Sequence, residues 1–261
     1  MLKPYAAPAT LLSIAAIAVA ILPASAAGSG AYIPYPIFGT GAAIAIWFNR
    51  GRALLALLTL FAAYGGWMLA NDTGSFAASA TFTAIAIFVP LNLLLVLSVP
   101  ERGVFHFRSY RWVLLIAVEM LATAWIASAG HSRVSGTVWH AVLNHWMIRP
   151  APTPFVGRLI LAAALSVAIA RVWERPNPTD IGIGGALIAF FIACQWPSTP
   201  GVLPIFMTAA GAMLLVSVLQ ESHRMAFRDE LTGLPSRRAL EEQLLALGPQ
   251  YTIAMVDVDH F

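Results

Sequence analysis

Two aspartates, Asp257 and Asp259, follow a short apolar run, Tyr251–Val256. The nearly unbroken apolar character of that run predicts a central β-strand covered on both faces. Side chains at i and i+2 then point to one side. Carboxylates at such a strand end suit Mg²⁺, which takes oxygen ligands and usually pairs one or two carboxylates with substrate phosphates. The same Asp-x-Asp pattern is also that of a solvated turn. A second candidate is Glu119, a carboxylate in the middle of the apolar stretch Trp112–Ala129. An acid in hydrocarbon is costly unless it is paired or faces a polar cavity, so Glu119 is a candidate sensing or ion-coupling residue. Its simpler reading is a protonated side chain hydrogen-bonded to a neighbouring helix. His131, His140 and His145 invite a metal reading. The last two lie about 140° apart on a helix, a poor chelating geometry, so a solvated polar face is preferred.

The elements that carry these residues are set by composition. The chain has 261 residues, 59% of them hydrophobic and only 10% charged. Its mean hydropathy is +0.76. A water-soluble domain of ordinary composition is about 25% charged, so lipid solvates most of this chain. A secreted protein, a disordered region and a plain cytosolic enzyme are excluded. Cys194, the single cysteine, excludes a disulfide framework or a cysteine-based zinc site. Charge is unevenly spread, with 11 of the 27 charged side chains in residues 221–261. The net charge of +3 does not point to nucleic acid, because the basic residues sit in short clusters between apolar runs, the pattern of membrane topology.

Eight runs approach the roughly 20 apolar residues that a membrane-spanning helix needs. They are Thr10–Ala27, Ile33–Phe48, Ala53–Ala70, Phe76–Val99, Trp112–Ala129, Phe155–Val172, Ile181–Gln195 and Val202–Gln220. Arg50 and Arg52, then Arg102, Arg108 and Arg111, then Arg171 and Arg175 occupy alternate connections. Lys3 precedes the first run, and Arg224 and Arg228 follow the last. Connections 28–32, 71–72 and 196–201 carry little positive charge. The rule that basic loops stay inside then predicts an α-helical polytopic domain of about eight spans with both termini cytoplasmic. The 130–154 loop, with Arg133 and Arg149 outside, is the exception. Within it, Val138, Trp139, Val142, Leu143, Trp146 and Met147 recur at helical spacing and predict a short interfacial helix. The first run has a rival reading as a signal peptide, with Lys3 before it and Ala24-Ser25-Ala26 as a cleavage site. Cleavage would leave seven spans and a cytoplasmic C-terminus. Pro90 and Asn92 interrupt the fourth run, where the proline removes one helical hydrogen bond. Gly182, Gly184 and Gly185 follow no strand and open a span, so they predict close helix packing and no nucleotide loop.

Residues 1–220 are thus expected to form a transmembrane sensor domain, 221–228 a linker helix, and 229–261 a soluble segment. In that segment Gly233 and Pro235 predict a turn, Ser236 an N-cap, and Arg237–Leu247 a helix with Leu240, Leu244 and Leu247 on one face. Gly248-Pro249 stops it.

The pattern Asp229-x-Leu231-Thr232-Gly233-Leu234-Pro235-x-Arg237-Arg238 is followed, one helix and one strand later, by Val256-Asp257-Val258-Asp259-His260-Phe261. This resembles the opening of a GGDEF domain, the domain of diguanylate cyclases, over residues 227–261. The resemblance implies the N-terminal part of an α/β, nucleotide-cyclase palm-like fold. It also implies that Asp257 holds catalytic Mg²⁺, that Val258 offers the metal its carbonyl, and that the backbone N–H groups of His260 and Phe261 approach the GTP phosphates. Arg237, Arg238 and the Leu231–Leu234 turn would frame the pocket. The implied reaction condenses two GTP into cyclic di-GMP in a homodimer at a bacterial inner membrane, one GTP per subunit. The Lys and Asn expected after Phe261 and the GGDEF hairpin are missing, so this chain alone is expected to be inactive. Only Glu221–Arg228 separates the last run from Asp229, which predicts signal transfer through rotation or sliding of the eighth span. Two rivals within signalling are a degenerate, nucleotide-binding GGDEF domain and a GGDEF/phosphodiesterase hybrid. A rival of another class is a small membrane transporter, for which Glu119 would be the only acid deep in a span.

Overall fold

A computed structural model describes residues 5–21, 30–73, 75–129, 153–174, 176–196 and 199–227, and in the C-terminal segment 232, 234–245, 247, 252 and 254. The chain divides into two compact units, Met1–Gln220 and Glu221–Phe261. Among the described residues there are nine α-helices: α1 Ala6–Ile21, α2 Pro34–Trp47, α3 Gly51–Thr73, α4 Ser75–Ser98, α5 Phe107–Ala129, α6 Phe155–Glu174, α7 Pro178–Gln195, α8 Val202–Ala226 and α9 Arg237–Leu245. Each of the eight apolar runs folds as a helix. Backbone N–H and C=O groups in hydrocarbon must be satisfied within the segment, and a helix does this without partners. Hydroxyls follow the same logic. Thr59, Ser98 and Ser166 donate to the carbonyls of Leu55, Leu94 and Ala162 one turn back.

Two parts of the expected fold class are corrected. Among the described residues, five helices rather than eight are long and apolar enough to cross a membrane: Gly51–Asp72, Ala77–Ser98, Phe155–Glu174, Pro178–Gln195 and Val202–Ala226. Helix α1 has 16 residues and α2 has 14. At 1.5 Å per residue α2 reaches only about 21 Å, short of a hydrocarbon core about 30 Å thick. The second correction concerns the α/β palm-like part: among the described residues the regular elements are all helices, with no strand or sheet. Only residues 252 and 254 of the expected strand Tyr251–Val256 are described, and neither is in a strand. A strand exists through its ladder of inter-strand hydrogen bonds.

In the first unit α3 packs on α2, α4 and α5, while α4 also packs on α5, α6 and α7. Helix α7 packs on α1, α3, α4 and α6. Helices α7 and α8 are mostly buried and α6 is mostly exposed, so the first two form the centre and α6 the rim. Phe38, Leu57, Leu60, Tyr64, Leu93, Leu187 and Leu214 are fully buried in one continuous core. Lipid tails are as apolar as these side chains, so close packing rather than exclusion from water holds such helices together. The glycines at the start of α7 show how. A Cβ on Gly182 would lie 2.7 Å from the Ser217 side chain, and one on Gly185 2.8 Å from Met213 Sδ. Gly184 makes only an ordinary contact with Ala168.

Candidate functional site

Helix α2 ends in a tight reversal. Asn49 adopts a left-handed φ of 55°, the N–H of Asn49 donates to Ile46 O, and that of Arg50 to Ala45 O at 2.7 Å. This is the paired 5→2 and 6→1 arrangement of a Schellman motif, and it lets α3 start at Gly51. The Asn49 side chain accepts from the Val104 N–H at 2.7 Å, pinning the α4–α5 connection beside the turn. A Cβ on Gly51 would collide with the carbonyl oxygen of Arg102, so the two connections touch through backbone.

Arg52, in the first turn of α3, is buried and paired with Asp180, in the first turn of α7. Its Nε donates to Val96 O at 3.0 Å, and its backbone N–H donates to Glu101 Oε1 at 3.2 Å. Asp180 is placed by the start of α7, where Asn177 caps the Thr179 N–H at 3.2 Å and Pro178 occupies the first turn. A carboxylate there also complements the positive end of the helix dipole. The connections bearing Arg50 and Arg52 and Arg102 thus meet the start of α7 at one end of the bundle. The sequence reading treated Arg52 only as a topology marker and did not single out Asp180. The available signal was an acid opening an apolar span, which needs a cationic partner.

The second polar contact is the one on Glu119. Asn92 Nδ2 donates to Glu119 Oε2 at 2.6 Å, and Thr123 Oγ1 donates to the Glu119 carbonyl at 2.7 Å. Asn92 is buried and Glu119 is half-buried. Two residues before Asn92, Pro90 lies inside α4. A proline leaves the carbonyl four residues back without its helical donor, here that of Ala86. Gly157 of α6 sits against this oxygen, which would lie 2.5 Å from a Cβ at that position. Pro90 and Asn92 therefore serve two different neighbours, α6 and α5.

In the second unit Phe227 closes the last turn of α8, and its carbonyl accepts from the Ser236 N–H at 2.9 Å. Ser236 caps α9, its Oγ accepting from the Ala239 N–H at 3.5 Å while donating to Ala226 O at 3.2 Å. Leu240 and Leu244 are exposed on α9. Asp257, Val258, His260 and Phe261 lie outside the described residues, as do His131, His140, His145 and the expected interfacial helix within 130–154. Among the described residues no cluster of His, Cys, Asp and Glu could hold a metal. Comparison with protein-family profiles, curated proteins and solved structures yields no match.

Proposed function

We propose that this membrane protein is the signal-receiving part of a diguanylate cyclase, with the arginine-rich end of the bundle and residues 221–261 in the bacterial cytoplasm. The observation that carries the reading is the ordered pair of motifs, Asp229–Arg238 and Val256–Phe261, at the separation the cyclases use. The donor set fits the metal: the Asp257 carboxylate and the Val258 carbonyl are both hard oxygen ligands of the kind Mg²⁺ takes. Bound there, Mg²⁺ would offset phosphate charge. The backbone N–H groups of His260 and Phe261 would hold GTP phosphates, and a homodimer would bring two GTP molecules face to face. Attack of one 3′-hydroxyl on the α-phosphate of the other, done twice, forms cyclic di-GMP and releases two pyrophosphates. Catalysis of this kind depends on mutual positioning of the reactants, which gives a membrane bundle its means of control.

The Glu119–Asn92 contact is the proposed sensing element. It is a hydrogen bond between two helices, α5 and α4, whose acid has no counter-charge among the described residues. The test is an assay of the protein encoded by the complete reading frame, in native membranes, with GTP and Mg²⁺. Cyclic di-GMP and pyrophosphate in a one-to-two ratio, lost on chelation of the metal, is the expected result. GTP left unconsumed, or consumed to another product, overturns the reading.

A further inference from the structure

At the arginine-rich end of the bundle, Gly51, Arg52 and Leu55 of α3, Val96 and Ser98 of α4, Val99, Pro100 and Arg102 of the following connection, and Trp112 of α5 surround a cavity of about 250 Å³. A water molecule's share of liquid is about 30 Å³, so the space is large enough for a phosphate and a short polyol. Its lining is divided by chemistry. Arg52 and Arg102 supply donors, whereas Leu55, Val96, Val99 and Trp112 supply an apolar wall. The two arginines are in different states. Arg52 is committed to Asp180 and Val96. Arg102, half-buried, has no acidic partner among the described residues. The nearby acid Glu101 is exposed and directs Oε1 to the Arg52 N–H.

We propose that this cavity binds the headgroup of an anionic phospholipid from the leaflet at the arginine-rich end, with the phosphate on Arg102 and the start of the acyl chains along Leu55, Val99 and Trp112. The shared chemistry is a phosphate. The apolar wall favours the lipid over free phosphate, because an inorganic ion has nothing to place against it. Basic pockets between membrane helices recognise acidic headgroups by this division, and tryptophan favours the headgroup level. A lipid bound here would bridge α3, α4 and α5, the last of which carries Glu119.

The experiment is native mass spectrometry of the full-length protein in detergent, supplied with phosphatidylglycerol or phosphatidylcholine of identical acyl chains. Retention of phosphatidylglycerol over phosphatidylcholine is expected, reduced about fivefold by Arg102→Gln, the loss of one arginine near a membrane surface. Arg171→Gln, which removes an arginine outside the cavity, is expected to leave retention unchanged. Trp112→Ala, which removes part of the apolar wall, is expected to give a smaller drop, and it supplies the readout if Arg102→Gln does not fold. Millimolar inorganic phosphate is expected not to compete. Equal retention of the two lipids, an equal drop in Arg171→Gln, no drop in either cavity variant, or displacement by inorganic phosphate would each overturn the proposal.

Discussion

The bundle contains two polar contacts between helices, and they are built in opposite ways. Arg52–Asp180 is a buried pair at helix ends, with the guanidinium also satisfied by Val96 O and both residues fixed by tight turns. Glu119–Asn92 lies inside the helices, is half open to its surroundings and rests on one side-chain hydrogen bond. The first is a clamp that holds three connections together. The second is a contact that can be made or released at small cost, which is what a sensor requires.

The largest expected effect comes from opening the clamp. Asp180→Ala leaves a guanidinium buried without its counter-charge, and breaking such a pair costs about 3–5 kcal/mol. Unfolding of the detergent-solubilised protein is the check. Arg52→Met together with Asp180→Leu is expected to recover most of the loss, since a well-packed apolar replacement removes both charges. No recovery would mean that the turns, and not the charge pair, depend on these residues.

Gly182→Leu tests the packing behind the clamp. The added side chain meets Ser217, and overpacking a close interface costs about 1–3 kcal/mol. Asn92→Ala is expected to cost less, about 0.6 kcal/mol and at most about 1.7 kcal/mol, the range of hydrogen bonds between membrane helices. Glu119→Gln keeps an acceptor for Asn92 and is expected to leave stability unchanged while altering the regulation of the proposed cyclase activity. A stability loss as large as that of Asp180→Ala at either position would erase the distinction between clamp and sensor.

The smallest effect is in the second unit. Ser236→Ala removes the N-cap of α9, worth about 1 kcal/mol locally. Faster hydrogen exchange at the first amides of α9, without change in the bundle, is the expected outcome.

What could be read in the sequence was local. Apolar runs of 15 to 24 residues located all eight helices of the first unit, and Ser236 located the start of α9, because helix formation and capping depend on neighbours in the chain. Gly182 and Gly185 were readable as packing glycines for the same reason. Span number was less legible: the runs at α1 and α2 have 18 and 16 residues, but the helices they form have only 16 and 14. The Arg52–Asp180 pair was not legible at all. Its partners are 128 residues apart, and no periodicity links them. The predicted strand at 251–256 rested on composition alone, and a strand takes its existence from partners elsewhere in the fold.

The account stands most directly on Asp257. Cyclic di-GMP formation by membranes containing the complete protein should fall at least about a hundredfold when Asp257→Ala removes the carboxylate proposed to hold Mg²⁺, the scale expected for loss of a group that stabilises charge in the transition state. Undiminished product from that variant, at equal protein level in the membrane, would contradict it.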